Sequence, residues 1–258
     1  MFEQYFTEGM PSLLENIKIK PCTNQVYKGD EMNIINKPTA TYAQCEAWLR
    51  SKTTASPLAL ENLPILWGAA VRNGVDPVVL IAQSMKETGW YNFGGVVPVS
   101  FHNPCGLKVT KGGGDQDVGA HKKFKSWEEG IQAHADHLAL YAGAPNFPKY
   151  SPNCKSHPNN GCRANGTTAD PRHFTYLHGT CRSVEKLSGT WATNKKYSES
   201  IIKLVKQIRE TEVPKASLTT YKNGTYNAKA KVTADSLNVR AGRPGSKKYN
   251  NILGTLKE

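Results

Sequence analysis

A chain of 258 residues with five Trp and eleven Tyr is long enough to bury one medium core and a small second one. Its mean hydropathy is −0.52 and no apolar run approaches the ~18 residues that span a bilayer, which excludes membrane insertion, and collagen, coiled coil and wholesale disorder are excluded with it. The formal net charge is +12, and residues 201–258 carry 12 Lys/Arg against 4 Asp/Glu, or +8 of that total. A basic C-terminal part calls for a polyanion (nucleic acid, an anionic lipid surface or acidic wall polymers), with a solvated basic face as the plain alternative.

Residues 1–32 show no periodicity and read as an irregular leader. Thr41-Tyr-Ala-Gln44 is a capping-box pattern and predicts a short helix through Trp48 and Leu49. After a loop carrying Pro57, the residues Leu60, Leu63, Trp67, Ala70 and Val71 share a helical face. Asp76-Pro77 predicts the start of the next helix, because Asp caps and Pro fits the first turn. That helix runs from Val78 to about Thr88 and stops at Gly89. Residues 91–125 are rich in Gly and read as loops with at most a short hairpin. Ser126-Trp-Glu-Glu129 is a second capping box, opening a helix with Ile131, His134, Leu138 and Tyr141 on one stripe. Residues 143–190 read as loops, and Tyr197, Ile201, Leu204, Val205 and Ile208 mark a last amphipathic helix ended by Val213-Pro214. Residues 211–224 have a linker composition; beyond them Ala230, Val232, Leu237 and Val239 alternate with polar neighbours as strands do.

The six cysteines, at 22, 45, 105, 154, 162 and 181, form no C-x-x-C pair. The first 22 residues place acids where a secretory signal needs Lys or Arg. Synthesis in the cytoplasm without a signal peptide is therefore expected, with free thiols as the default. Cys154, His157, Cys162, His173, His178 and Cys181 crowd into 28 residues, but the C-x2-H-x4-C spacing lacks the paired knuckles of a zinc site. Zinc, a disulfide and unlinked residues stay open for that group; no metal or cofactor is assigned. Cys105 with His102 or His121 would suit a thiol peptidase only with a cation or a helix N-terminus beside the sulfur.

Glu87 is the residue that points to chemistry. It lies in the last turn of the helix opened at Asp76-Pro77, after Val78, Val79, Leu80, Ile81, Ala82 and Met85 and just before Trp90. The negative end of the helix dipole and desolvation both disfavour its carboxylate. A carboxyl kept protonated near neutral pH is what a glycosidase general acid requires; an exposed Glu in a last helical turn is the bland reading.

The segment Ile81-Ala-Gln-Ser-Met-Lys-Glu-Thr-Gly-Trp90 resembles the catalytic helix of glycoside hydrolase family 73, the bacterial β-N-acetylglucosaminidases, with its A-Q-x-x-x-E-S/T-G-W pattern. Asn103-Pro-Cys-Gly-Leu-Lys108, Phe124-Lys-Ser-Trp-Glu-Glu-Gly-Ile131 and Gly189-Thr-Trp-Ala-Thr-Asn-Lys-Lys-Tyr197 resemble further blocks in the family's order. The resemblance implies an α+β, mostly helical lysozyme-like catalytic domain with a small β-hairpin lobe, over 33–210. It implies a cleft for peptidoglycan glycan strands, Glu87 as general acid and Tyr197 beside the scissile sugar. Trp90 and Trp191 become sugar-stacking candidates, with core burial as the alternative for each; Asn103 and His121 are assigned to substrate binding. The second carboxylate departs from a clean match. The expected hairpin, 108–125, offers Asp115 and Asp117, while Glu128 and Glu129 suit the following helix N-terminus. A 2-acetamido substrate could also supply its own nucleophile.

Lys231-Val-Thr-Ala-Asp-Ser-Leu-Asn-Val-Arg-Ala-Gly-Arg-Pro244 is similar to the first half of a bacterial SH3-like wall-binding domain, giving a partial module over 225–258. The expectation is thus a monomeric endo-β-N-acetylglucosaminidase that lyses bacterial wall, endolysin-like and delivered by a phage or mobile element. Anionic wall polymers are possible further partners; nucleic acid is not expected, for want of a P-loop or a basic-aromatic pattern. A muramidase or lytic transglycosylase on the same fold is the near rival, and a non-catalytic wall-binding scaffold the distant one.

Overall fold

The computed structural model describes residues 31–151, 165–213, 236–241 and 251–257. The leader up to residue 30, the linker from 214, the strand positions Ala230 and Val232, and Cys22, Cys154, His157 and Cys162 of the open cysteine question lie outside them. The chain divides into two units, Met1–Glu212 and Val213–Glu258.

In the first unit the helices are α1 (Tyr42–Arg50), α2 (Pro57–Arg72), α3 (Pro77–Glu87), α4 (Trp127–Ala142) and α5 (Tyr197–Arg209). The first capping box read from the sequence is made: Thr41 accepts the Gln44 N–H while Gln44 returns a bond to the Thr41 backbone. The second box is half made: Ser126 accepts from Glu129 N, while the Glu129 carboxylate takes the Lys125 N–H instead of that of Ser126. α2 begins earlier than its apolar stripe suggests, because Ser56 caps it and Pro57 occupies its first turn. The helix continues through Pro64. Its buried face is Ala59, Asn62, Leu63, Leu66, Ala69 and Ala70, so the expected stripe is rotated and Val71 stands half-exposed.

α3 is the centre of the unit. Asp76 caps it, accepting from Val78 N at 3.0 Å, and is itself held by the Thr39 hydroxyl at 2.5 Å. Every residue from Pro77 to Met85 is buried, packed against α2 and α5, while α4 lies against α2. Such all-round burial explains why the sequence there is a nearly continuous apolar run rather than a stripe. Ile34 is threaded between two turns, its N–H on Arg182 O and its C=O on Asp76 N, and is fully buried.

α3 ends abruptly. Gly89, Trp90 and Tyr91 take φ of 55°, 64° and 61°, a left-handed run that costs a non-glycine residue roughly 1–2 kcal/mol. It is held by Trp90 N on Met85 O at 2.8 Å. Thr88 Oγ1 also secures it, donating to Ser84 O and accepting from Tyr91 N, each at 2.8 Å.

The expected β-hairpin lobe is reduced, among the described residues, to one bridge, Lys108↔His121. Gly112 and Gly113 at φ 72° and 147° take the chain out of the extended region. Asp117 then caps a 3-10 turn, Val118–Ala120. The loop is anchored to α4 at Gly130, where a Cβ would lie 1.8 Å from His102 O. Among the described residues no helix is long and apolar enough to cross a membrane.

In the second unit, β1 (Ser236–Ala241) pairs antiparallel with β2 (Asn251–Lys257), from Ser236↔Lys257 to Ala241↔Asn251, with an irregularity between Val239 and Arg240.

Candidate active site

Gln83 and Glu87 are four residues apart on α3 and so share a face. α5 crosses that face with Tyr197 at its first position. The Tyr197 hydroxyl donates to Glu87 Oε1 and accepts from Gln83 Nε2 at 3.0 Å. Gln83 Oε1 in turn meets His134 Nε2, from α4, at 3.0 Å. Four side chains from three helices therefore form one chain of hydrogen bonds ending on the carboxyl.

Glu87 is half-buried as a residue, yet its carboxyl is largely desolvated. That desolvation raises its pKa above the ordinary glutamate value, against the Tyr197 hydroxyl, the Lys86 ammonium and the Trp191 indole, which favour the charged form. Tyr197 is pushed far above its usual range by burial and by the Glu87 charge, so it stays a neutral donor. Burial likewise holds His134 down to about 3, so its ring is neutral.

Trp191 is partly exposed and packs on His137 at 5.0 Å, Tyr141 at 5.6 Å and His134 at 5.8 Å. It forms a flat wall beside Glu87. Trp90 instead turns to Trp48, with ring centroids 5.1 Å apart, and hydrogen-bonds its backbone to Ser56. The buried Asn103 uses its whole amide locally, giving N–H to Leu107 O and Lys122 O and accepting from Leu107 N at 3.0 Å. His121 Nδ1 bonds Asp117 O at 2.9 Å. Glu87, Tyr197 and Trp191 are thus brought together, whereas Asn103 and His121 hold the shape of the 103–121 loops.

Asp115 and Asp117 are exposed. Asp115 pairs with Lys108 Nζ at 2.5 Å, and that hydrogen bond and charge lower its pKa. Asp117 accepts from Gly119 N at 2.9 Å. Cys105 is buried and its thiol is raised well above the ordinary range by desolvation, then by the Glu87 and Asp170 charges, the opposite of what a thiolate nucleophile needs. Cys45 and Cys181 are also buried free thiols. His178 Nε2 bonds Ala144 O, and among the described residues no group of three or more His, Cys, Asp or Glu could hold a metal ion.

Sequence reading missed Gln83, His134 and a second buried group, Asp170. Gln83 was visible as the polar residue one turn before Glu87. His134 was visible as an imidazole on an otherwise apolar stripe. Asp170 has local partners, His173 and the Arg172 N–H, but His137 reaches it from α4, 33 residues away, and no spacing in the sequence marks that contact.

A half-buried carboxyl held by a phenol, at the end of a central helix and beside a tryptophan wall, is the arrangement of a carbohydrate-cleaving site with one acid. The comparisons agree in kind. Residues 63–210 match the family model for glucosaminidase, described as mannosyl-glycoprotein endo-beta-N-acetylglucosaminidase, and the chain belongs to that family. It is also 26% identical over 137 residues to a protein of Borreliella burgdorferi described only as uncharacterized, over 53% of this chain and 56% of that one. The chain thus spans little more than half the length of that relative. No solved structure matches it.

Proposed function

We propose that the chain is a peptidoglycan hydrolase with a lysozyme-like catalytic unit, an endo-β-N-acetylglucosaminidase that opens the β-1,4 bond between N-acetylglucosamine and N-acetylmuramic acid. The observation that carries this reading is the Glu87 carboxyl, desolvated and held by the Tyr197 hydroxyl. A carboxyl raised toward neutrality is poised to protonate a glycosidic oxygen. Glu87 gives its proton to the leaving oxygen as the C1–O bond breaks. The sugar's own 2-acetamido oxygen closes on C1, and water then opens that ring and returns a proton to Glu87. Two features favour substrate assistance over a second carboxylate. Asp117 is engaged as a turn cap, and Asp115 is paired with Lys108. Trp191 supplies the face on which a sugar stacks. β1 covers the Leu237-Asn-Val-Arg240 run and pairs with β2, and a two-stranded start of this kind supports reading the second unit as a wall-binding module of SH3-like type.

The test is mass spectrometry of borohydride-reduced products from purified peptidoglycan treated with wild type and with Glu87→Gln. Reduced N-acetylglucosamine ends from wild type, with at least ~100-fold fewer from the variant, are the expected outcome. Reduced muramic or anhydro-muramic ends would move the bond to that of a muramidase or transglycosylase. No products from folded wild type would overturn the enzyme reading in favour of a wall-binding scaffold.

A further inference from the structure

The hydrogen-bond chain behind Glu87 has a direction, and His134 sets it. His134 is fully buried, and its Nδ1 has no hydrogen-bond partner among the described residues. A neutral imidazole carries one proton. Placed on Nε2, that proton points at Gln83 Oε1, 3.0 Å away. With its oxygen so engaged, the Gln83 amide must turn its NH2 to Tyr197 Oη, at 3.0 Å. Tyr197 then accepts from Gln83, and its single proton is left for Glu87 Oε1. An Oε1 that already accepts from Tyr197 does not point a proton back at it, so the acid proton of neutral Glu87 sits on Oε2.

We infer that His134 and Gln83 are positioning residues of this site, fixing Tyr197 as a permanent donor to Glu87 Oε1 and reserving Oε2 for the transferable proton. Without the His134 N–H, the Gln83 amide can turn over. Its oxygen then competes for the Tyr197 proton, and neutral Glu87 can donate from Oε1 into the protein. That arrangement stabilises the protonated carboxyl in an unproductive orientation. Loss of the amide N–H in Gln83→Met acts the same way more weakly, because it no longer polarises the phenol. An amide-for-imidazole exchange, His134→Gln, keeps a donor: Nε2 is four bonds from Cα in both side chains.

This inference rests on the acid role of Glu87 for its catalytic meaning, but its test needs no substrate. The Glu87 carboxyl carbon is followed by NMR through a pH titration of carboxyl-labelled protein, assigned by its loss in Glu87→Gln. The groups that bear on it are Lys86 from its own helix, Tyr197 from α5 and Cys105 from the 103–107 loop; His137 and Asp170 bear on His134. The Glu87 midpoint is expected to move up in His134→Leu and, by less, in Gln83→Met, toward the value in Tyr197→Phe, and to stay at the wild-type value in His134→Gln. On peptidoglycan the two shifted variants are expected to lose about tenfold in kcat with KM unchanged, as a misaligned acid should. Folded His134→Leu and Gln83→Met that titrate like wild type would overturn the inference. So would a His134→Gln protein shifted as far as His134→Leu. If His134→Leu does not fold, Gln83→Met and His134→Gln still decide. A shifted midpoint without turnover in wild type would count against the proposed activity alone.

Discussion

Glu87 and Asp170 are carboxyls of the same unit, both removed from water, and they ionise in opposite directions. For each, burial is the largest influence and pushes the pKa up. Glu87 stays raised, because it is met by a neutral phenol, an indole and one nearby ammonium. Asp170, fully buried, accepts from His137 Nδ1 at 2.7 Å and His173 Nδ1 at 2.9 Å, and from Arg172 N at 2.8 Å. The charges and hydrogen bonds of the two imidazoles outweigh desolvation, and its pKa falls far below the ordinary range. Depth of burial therefore does not decide the direction; the charges and N–H donors that face the carboxyl do. Asp170 is a structural anion that ties the 168–173 loop to α4, and Glu87 is left underprovided, which is what the proton-donor role proposed for it requires.

Removing Asp170 should give the largest stability change. Asp170→Asn leaves two buried imidazole N–H groups without their anion, and breaking such a pair costs about 3–5 kcal/mol. The sign with pH follows from the depressed pKa. The Asp170 contribution is complete above the ordinary aspartate range, near ~4, and is lost as pH falls below it toward the native value. Urea unfolding should show the variant far less stable at pH 7, with the gap to wild type narrowing in acid. Equal midpoints at pH 7 would refute the contrast drawn with Glu87.

Glu87→Gln should act oppositely and more weakly. A raised carboxyl pKa means that ionisation opposes the native state. Wild type therefore loses stability as pH climbs from the ordinary glutamate range to the native value, whereas Gln does not. The variant is expected to match wild type in acid and to exceed it at neutral pH, because the raised carboxyl pKa is absent from it. A Gln variant that is less stable at pH 7 would mean that Glu87 is held as a structural anion like Asp170.

Helix starts and the place of Glu87 at a helix end were legible in the sequence, because both are local. Thr41, Asp76 and Ser126 cap helices within three residues of themselves, and Glu87 sits at a fixed distance from its own helix end. What was not legible is what depends on helices meeting. The Gln83–Tyr197 and Gln83–His134 bonds span 114 and 51 residues. The Asp170–His137 pair spans 33. The rotated face of α2 is a similar case: Leu63 and Ala70 are buried as their period suggests, but Leu60 and Val71 give way to Ala59, Leu66 and Ala69. The expected hairpin is short for a local reason, the glycines and the Asp that lie between the two residues of its one bridge. Gly112 and Gly113 take positive φ, and Asp117 caps a turn, where a strand would need extended residues.

The smallest effect is expected at a third carboxyl, Asp115. It is exposed, and its lowered pKa comes from the Lys108 hydrogen bond and charge rather than from any cavity. Solvent screens such a pair, so Asp115→Asn should leave the urea midpoint unchanged. Its rate is the sharper readout. If the substrate's acetamido group is the nucleophile, kcat should stay within about twofold of wild type, since nothing in the reaction passes through Asp115. A loss of ~100-fold or more without a change in stability would require the 108–121 loop to close on the sugar and bring Asp115 to C1. The site would then use two carboxyls of contrasting environment: Glu87 kept dry and protonated, Asp115 kept wet and charged.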